Sequence, residues 1–157
     1  MKVLVVYFSR DGHAERMAKA IARRCAADLE RIQELAPDDS WLPGLRSSWR
    51  SLTRANPPIV RPSRNPARYE LVIIGGPATR LGIAPPVRSY VELCRDRLKQ
   101  VAFFCAEGDA DARRGFDELS RLCGQRPLAT FEVERKGLPP VAHNQGLTDF
   151  VDLLPLK

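Results

Sequence analysis

The chain has 157 residues, a length that suits one domain able to bury roughly 70% of its unfolded surface. Its 44% apolar and 28% charged residues are ordinary for a soluble globular protein and exclude a low-complexity chain. The net charge of +6, from 25 Lys and Arg against 19 Asp and Glu, permits an acidic partner or a phosphorylated ligand but specifies neither.

From the N-terminus, "VLVVYF" at 3–8 is a short, nearly continuous apolar run rich in β-branched residues, the pattern of a strand buried on both faces. It is too short to span a bilayer, as is "LVIIGGPA" further on, so no membrane insertion is expected. The N-terminus lacks the apolar core and cleavage region of a signal peptide, which points to the cytoplasm. In that reducing compartment Cys25, Cys94, Cys105 and Cys123 are expected as free thiols used for packing. No C-x-x-C pair or His/Cys cluster suggests a metal.

After a polar turn, Ala14, Met17, Ala18, Ile21, Ala22 and Cys25 recur at helical spacing, with charged residues on the other side. "LERIQEL" at 29–35 reads as a second strand, at the sheet edge. The segment 36–69 holds six of the 13 prolines and both tryptophans. Within it a helix is expected around 40–54, with Trp41, Leu45, Trp49 and Leu52 on one face and Arg46, Arg50 and Arg54 as a basic stripe on another. An extended connection then leads to the strand 71–74 and a Gly/Pro turn. Pro85 and Pro86 suit the first turn of the next helix, continued by Val87, Tyr90, Val91, Cys94 and Leu98. "QVAFFCAEG" is a third buried strand. Phe116, Leu119 and Leu122 mark a helix that stops near Gly124, and "LATFEVE" and "GLTDFVDLL" give a last strand and a last helix.

Strand and helix alternate throughout, which predicts an α/β fold: an open five-stranded parallel sheet in the order 2-1-3-4-5, helices on both faces, all in a single domain over 1–157. In such a sheet ligands bind outside the carboxyl ends of the strands. Three loops leave those ends, at 9–14, 76–84 and 105–111, and are expected to converge on one rim.

The first loop, "SRDGHA", opens a helix, whose N-terminal N–H groups and partial positive charge suit a phosphate. Ser9 adds a hydroxyl and Gly12 lets the backbone come close. Asp11 opposes this. A carboxylate about 6 Å from a phosphate charge costs about 2–3 kcal/mol at an effective dielectric of 20. It either caps the helix, taking N–H groups a phosphate needs, or points outward and leaves the backbone to line the site.

"SRDGHAERMAKAIA" resembles the first flavin mononucleotide (FMN) loop of the flavodoxin superfamily. Its Ser-x-x-Gly-His followed by Glu-x-Met-Ala is similar to the WrbA-type NAD(P)H:quinone oxidoreductases, and "GGPATRLG" resembles the second FMN loop of that group. The resemblance implies a flavodoxin-like fold. It also implies that Ser9, Arg10, Asp11, Gly12, His13 and Ala14 meet the FMN phosphate. Pro77, Ala78, Thr79, Arg80, Leu81 and Gly82 would then cradle the ring system, and Cys105, Ala106, Glu107 and Gly108 would form the third loop. It implies NAD(P)H as donor, a quinone-like acceptor or a redox partner protein, and allows a homodimer; no nucleic-acid partner is expected.

The sequence departs from the family at Asp11, at Ala14, which replaces a frequent Thr, and in the acidic third loop "CAEGDADA". No aromatic residue stands in loops two or three to stack on a flavin, a contact worth about 0.5–1.5 kcal/mol. Trp41 or Trp49 could supply one, and each serves equally as a core anchor. His13 is expected to present its backbone and His143 to lie in a surface loop. No residue is singled out as catalytic. Two readings stay open: an FMN-dependent redox protein, or a flavodoxin-like scaffold with weakened or lost FMN binding that meets an acidic partner.

Overall fold

The structure is a computed structural model and describes residues 1–35, 56–80, 82–108, 112–133 and 144–157. The expected helix at 40–54, with both tryptophans and the arginine stripe, lies outside the described residues, as do Leu81 and His143.

The strands are β1 (Val3–Tyr7), β2 (Asp28–Arg31), β3 (Leu71–Thr79), β4 (Gly82–Ile83), β5 (Gln100–Gly108) and β6 (Thr130–Val133). The helices are α1 (His13–Arg24), α2 (Pro85–Cys94), α3 (Ala112–Cys123) and α4 (Gln145–Asp152). The sheet runs β2-β1-β3-β5-β6 with every pair parallel, and β4 pairs antiparallel with β3. With β4 set aside, this is the expected five-stranded order.

The apolar runs are explained by cover on both faces. Val3, Val5 and Tyr7 join α1 and α4 in one core with Leu71, Ile73 and Phe104. Leu4, Val6 and Phe8 join α2 and α3 in a second with Val72, Ile74 and Phe103. α1 buries Ala14, Met17, Ala18, Ile21 and Ala22, the face its periodicity predicts. α2 opens on Pro85, where a missing N–H costs no helical hydrogen bond. All four cysteines are free, and burial pushes the Cys25 and Cys123 thiols up to about 11, so they pack as apolar groups.

Two elements differ from the sequence expectation. β2 ends at Arg31 because β1 ends at Tyr7; Ile32 N–H donates to the Tyr7 carbonyl at 2.7 Å as the last rung. Beyond it, Glu34 forms an isolated antiparallel bridge with Ile59. β3 continues to Thr79 and folds back through β4, with Ala78 opposite Ile83 and Thr79 opposite Gly82. The connection at 59–69 is fastened to β2. Glu30, 9% exposed, accepts from Ser63 N–H and Oγ, both at 2.8 Å, and Tyr69 O–H donates to Asp28 at 2.7 Å.

Gly75 on β3 lies opposite Phe104 on β5, and a side chain there would land in the Phe104 ring. Gly75→Ala is therefore expected to cost on the order of 1–3 kcal/mol, the usual penalty for overpacking a filled core. A urea melt indistinguishable from wild type would show that the ring has somewhere else to go.

Candidate functional site

The parallel register brings three strand ends side by side. Tyr7 is level with Gly75, Gly75 with Phe104, and Gly76 with Cys105. The segments that follow leave the same edge of the sheet. Phe8 N–H donates to the Gly75 carbonyl at 3.1 Å, so loops one and two start in contact. A Cβ added to Gly76 would meet the Phe8 carbonyl oxygen at 3.1 Å and Val87 at 3.0 Å, so glycine lets the two strands leave this close together.

Loop one answers its internal donors with its own side chains. Ser9, 6% exposed, accepts the Gly12 N–H on Oγ at 3.1 Å. Asp11 Oδ1 accepts the His13 N–H at 3.1 Å. Gly12 is the residue before the helix and holds φ 93°, a left-handed conformation that favours glycine. A Cβ built on Gly12 would meet nothing within 4 Å, so the loop has open space on that side. Of the two sequence alternatives for Asp11, the helix-facing one is found.

His13 and Arg16 add a contact to this loop. Arg16 Nη2 stands 2.6 Å from His13 Nδ1. A guanidinium only donates, so Nδ1 is the acceptor side of this contact and Nε2 is the ring's other nitrogen. That nitrogen lies 4.0 Å from Asp11 Oδ2. The i,i+3 spacing of His13 and Arg16 was a readable signal that the sequence reading passed over. Arg10 is exposed, its guanidinium 5.8 Å from the centre of the Phe8 ring. Ala14 is buried against the first core.

Loop two is largely the β3–β4 hairpin. Pro77 accepts the Ala84 N–H on its carbonyl at 3.0 Å, Ala78 is 4% exposed, and Arg80 is exposed. Thr79 pairs with Gly82 across the hairpin. Gly82 is buried and holds φ 118°. Loop three is shorter than its sequence suggested, because β5 continues to Gly108, level with Ala78. Cys105 and Ala106 are strand residues, 4% and 1% exposed, and Cys105 packs on Ala78 and Ala112. Glu107 lies in the same strand. Among the described residues no group of His, Cys, Asp and Glu is arranged to hold a metal, and no helix is long and apolar enough to cross a membrane.

These residues fit the phosphate end of a flavin nucleotide in kind. They offer a helix N-terminus, a hydroxyl beside it and open space at Gly12. One requirement attaches: the His13 N–H must exchange the Asp11 carboxylate for the phosphate.

The flavodoxin family model matches residues 2–133. An NAD(P)H dehydrogenase (quinone) of Bradyrhizobium sp. (strain ORS 278) is 38% identical over 86 residues, which is 52% of this chain and 40% of that protein. The match thus spans less than half the length of that relative. A flavoprotein of Bacteroides eggerthii superposes with a TM-score of 0.77 at 21% identity, covering 99% of both chains. A Lactobacillus acidophilus flavoprotein in complex with FMN superposes with a TM-score of 0.63 at 15% identity, covering 83% of this chain and 92% of that one.

Because Asp11 accepts the N–H of the first helical residue, His13, in this structure, Asp11→Ala is expected to lower the stability of the ligand-free protein by about 0.5–1 kcal/mol, the net value of one lost exposed hydrogen bond. Asp11→Asn, which keeps an acceptor oxygen, should lose less. Thermal melts of the three proteins decide it, and equal midpoints would mean the contact contributes nothing.

Proposed function

This chain belongs to the flavodoxin family, and on that premise we propose that it is a redox protein that binds FMN at the rim formed by loops one to three. The observation that carries this reading is the β1–α1 turn. Ser9 Oγ and the Gly12 and His13 N–H groups gather at a helix N-terminus, beside open space. Those groups, with Ala14, would hold the phosphate. Arg10 would add charge from the rim. The hairpin Pro77–Gly82 would cradle the ring, and Cys105 to Gly108 would close the third side through their backbone, since Cys105 and Ala106 have no exposed side chain to offer.

Bound FMN supplies the electron-transfer chemistry; the protein binds, orients and tunes it. Ser9 can accept from Gly12 and donate to a phosphate oxygen, because a hydroxyl does both. The Asp11 carboxylate must give up the His13 N–H and then stands as a repelling charge. NAD(P)H as electron donor and a quinone-like acceptor form the finer proposal, supported by the quinone-dehydrogenase relative; a redox partner protein in place of the quinone is the electron-carrier version.

One observation favours a second reading. The anion that a helix N-terminus calls for is already present as Asp11. On that reading the chain keeps the fold and binds FMN weakly or not at all.

The visible spectrum of the purified protein, before and after adding FMN, tests both. Fluorescence titration then compares variants. Wild type is expected to bind at micromolar levels. Ser9→Ala should weaken binding by about 0.5–1.5 kcal/mol, the net value of a hydrogen bond. Asp11→Thr should tighten it by about 1–3 kcal/mol, roughly 5- to 150-fold, because a repulsive charge leaves and a hydroxyl arrives. The gain should shrink in high salt. Absence of binding by wild type, together with binding by Asp11→Thr, would select the second reading.

A further inference from the structure

Glu118 stands on α3, outside all three loops, yet its carboxylate reaches the second one. Oε2 accepts the Ile83 N–H at 3.1 Å, and Oε1 accepts from Arg88 Nη1 on α2 at 3.0 Å. Both side chains are mostly covered, Glu118 at 15% exposure and Arg88 at 23%. A Cβ on Gly82 would collide with Glu118 Oε2, so the glycine makes room for the carboxylate. Two neighbours on α3 lie against the same segment. Arg114 Nη1 donates to the Arg80 carbonyl at 3.2 Å, and a Cβ on Gly115 would stand 3.4 Å from Ile83 N.

This pair is poorly explained as a source of stability. Covered ion pairs lose much of their Coulomb gain to desolvation, and apolar pairs of similar volume often serve as well. Among the described residues Arg88 Nε is buried with no hydrogen-bond partner, a further cost. What the pair does supply is geometry. A backbone N–H of a two-residue strand is held by a side chain that is itself held from a second helix.

We propose that Glu118, oriented by Arg88, is a positioning residue for β4 where it pairs with Ala78 and Thr79 of β3, fixing the shape in which loop two receives the flavin ring. The proposal rests on the FMN reading above. It makes α3, which follows loop three in the chain, the element that sets loop two as well. It also separates two halves of the site: loop one meets the phosphate, and the Glu118 clamp governs the ring.

The test compares FMN with riboflavin, which has the same ring and no phosphate. In the double variant Arg88→Met with Glu118→Leu, the protein should melt within a few degrees of wild type. Its affinity for both flavins should fall by about tenfold and by the same factor, since the lost element faces the shared ring. Exchange of the Ile83 amide should quicken. Glu118→Gln, which keeps an oxygen for Ile83, should recover affinity to within about threefold of wild type. Should the double variant not fold, Glu118→Ala carries the same reading. Wild type binding both flavins while the variant binds them equally well would overturn the clamp and leave the functional reading standing. A tenfold loss confined to FMN would overturn it too. Wild type binding neither flavin would remove the functional reading, and the clamp with it.

Discussion

The central strands are apolar on both sides, and the rest of the molecule follows from that. β1 and β3 cannot face water on either surface, so each needs helices above and below. A chain meets that need by crossing over between parallel strands, and the crossover has one hand. Strands laid down this way all end at the same edge. The turn after β1, the hairpin after β3 and the end of β5 are neighbours because Val3–Tyr7, Leu71–Gly75 and Val101–Phe104 are packed on two faces. The rim is a by-product of burial, and its chemistry is what the turn residues add.

Those additions differ in kind from loop to loop. Loop one is polar and partly satisfied from within: Ser9 takes the Gly12 N–H and Asp11 the His13 N–H at the helix start. Loop two is backbone geometry fastened from outside, by Arg114 and Glu118 on α3, where Gly115 leaves room for Ile83. The third segment is mostly strand, with Cys105 and Ala106 sealed between Ala78 and the cores. A rim built this way gives a ligand specific donors at one end and a shaped surface at the other.

Much of this was legible in the residues. Period-2 burial on both faces shows as an unbroken apolar run, and α1 announces its buried face through Ala14, Met17, Ala18 and Ile21. Pro85 and Gly124 mark a helix start and a helix end through backbone chemistry that only those residue types have. What stayed hidden lay outside local pattern. β4 is two residues long and carries no period, so nothing in "GI" signals a strand. The end of β2 is set by where β1 stops, which no residue of β2 records. Glu118 sits at an ordinary helical position, and its partner Ile83 is 35 residues away. Asp11 was visible as a charge in the wrong place, but whether it turned toward the helix was decided by geometry.

That geometry has a consequence for how the two ends of the rim would share a flavin nucleotide. Binding is strongest where the receiving groups are already in place and need no rearrangement. The hairpin end meets that condition, since Ile83, Ala84 and Gly82 are buried and tied to α3 and β3. The helix end does not. Its His13 N–H is engaged by a carboxylate, and an incoming phosphate gains one charge-assisted hydrogen bond while breaking another. An exchange of like for like yields little net free energy, and the displaced carboxylate then repels what displaced it. In this chain the ring end would therefore carry a larger share of flavin affinity than the phosphate end, although the phosphate loop is the part of its sequence that most plainly resembles the family.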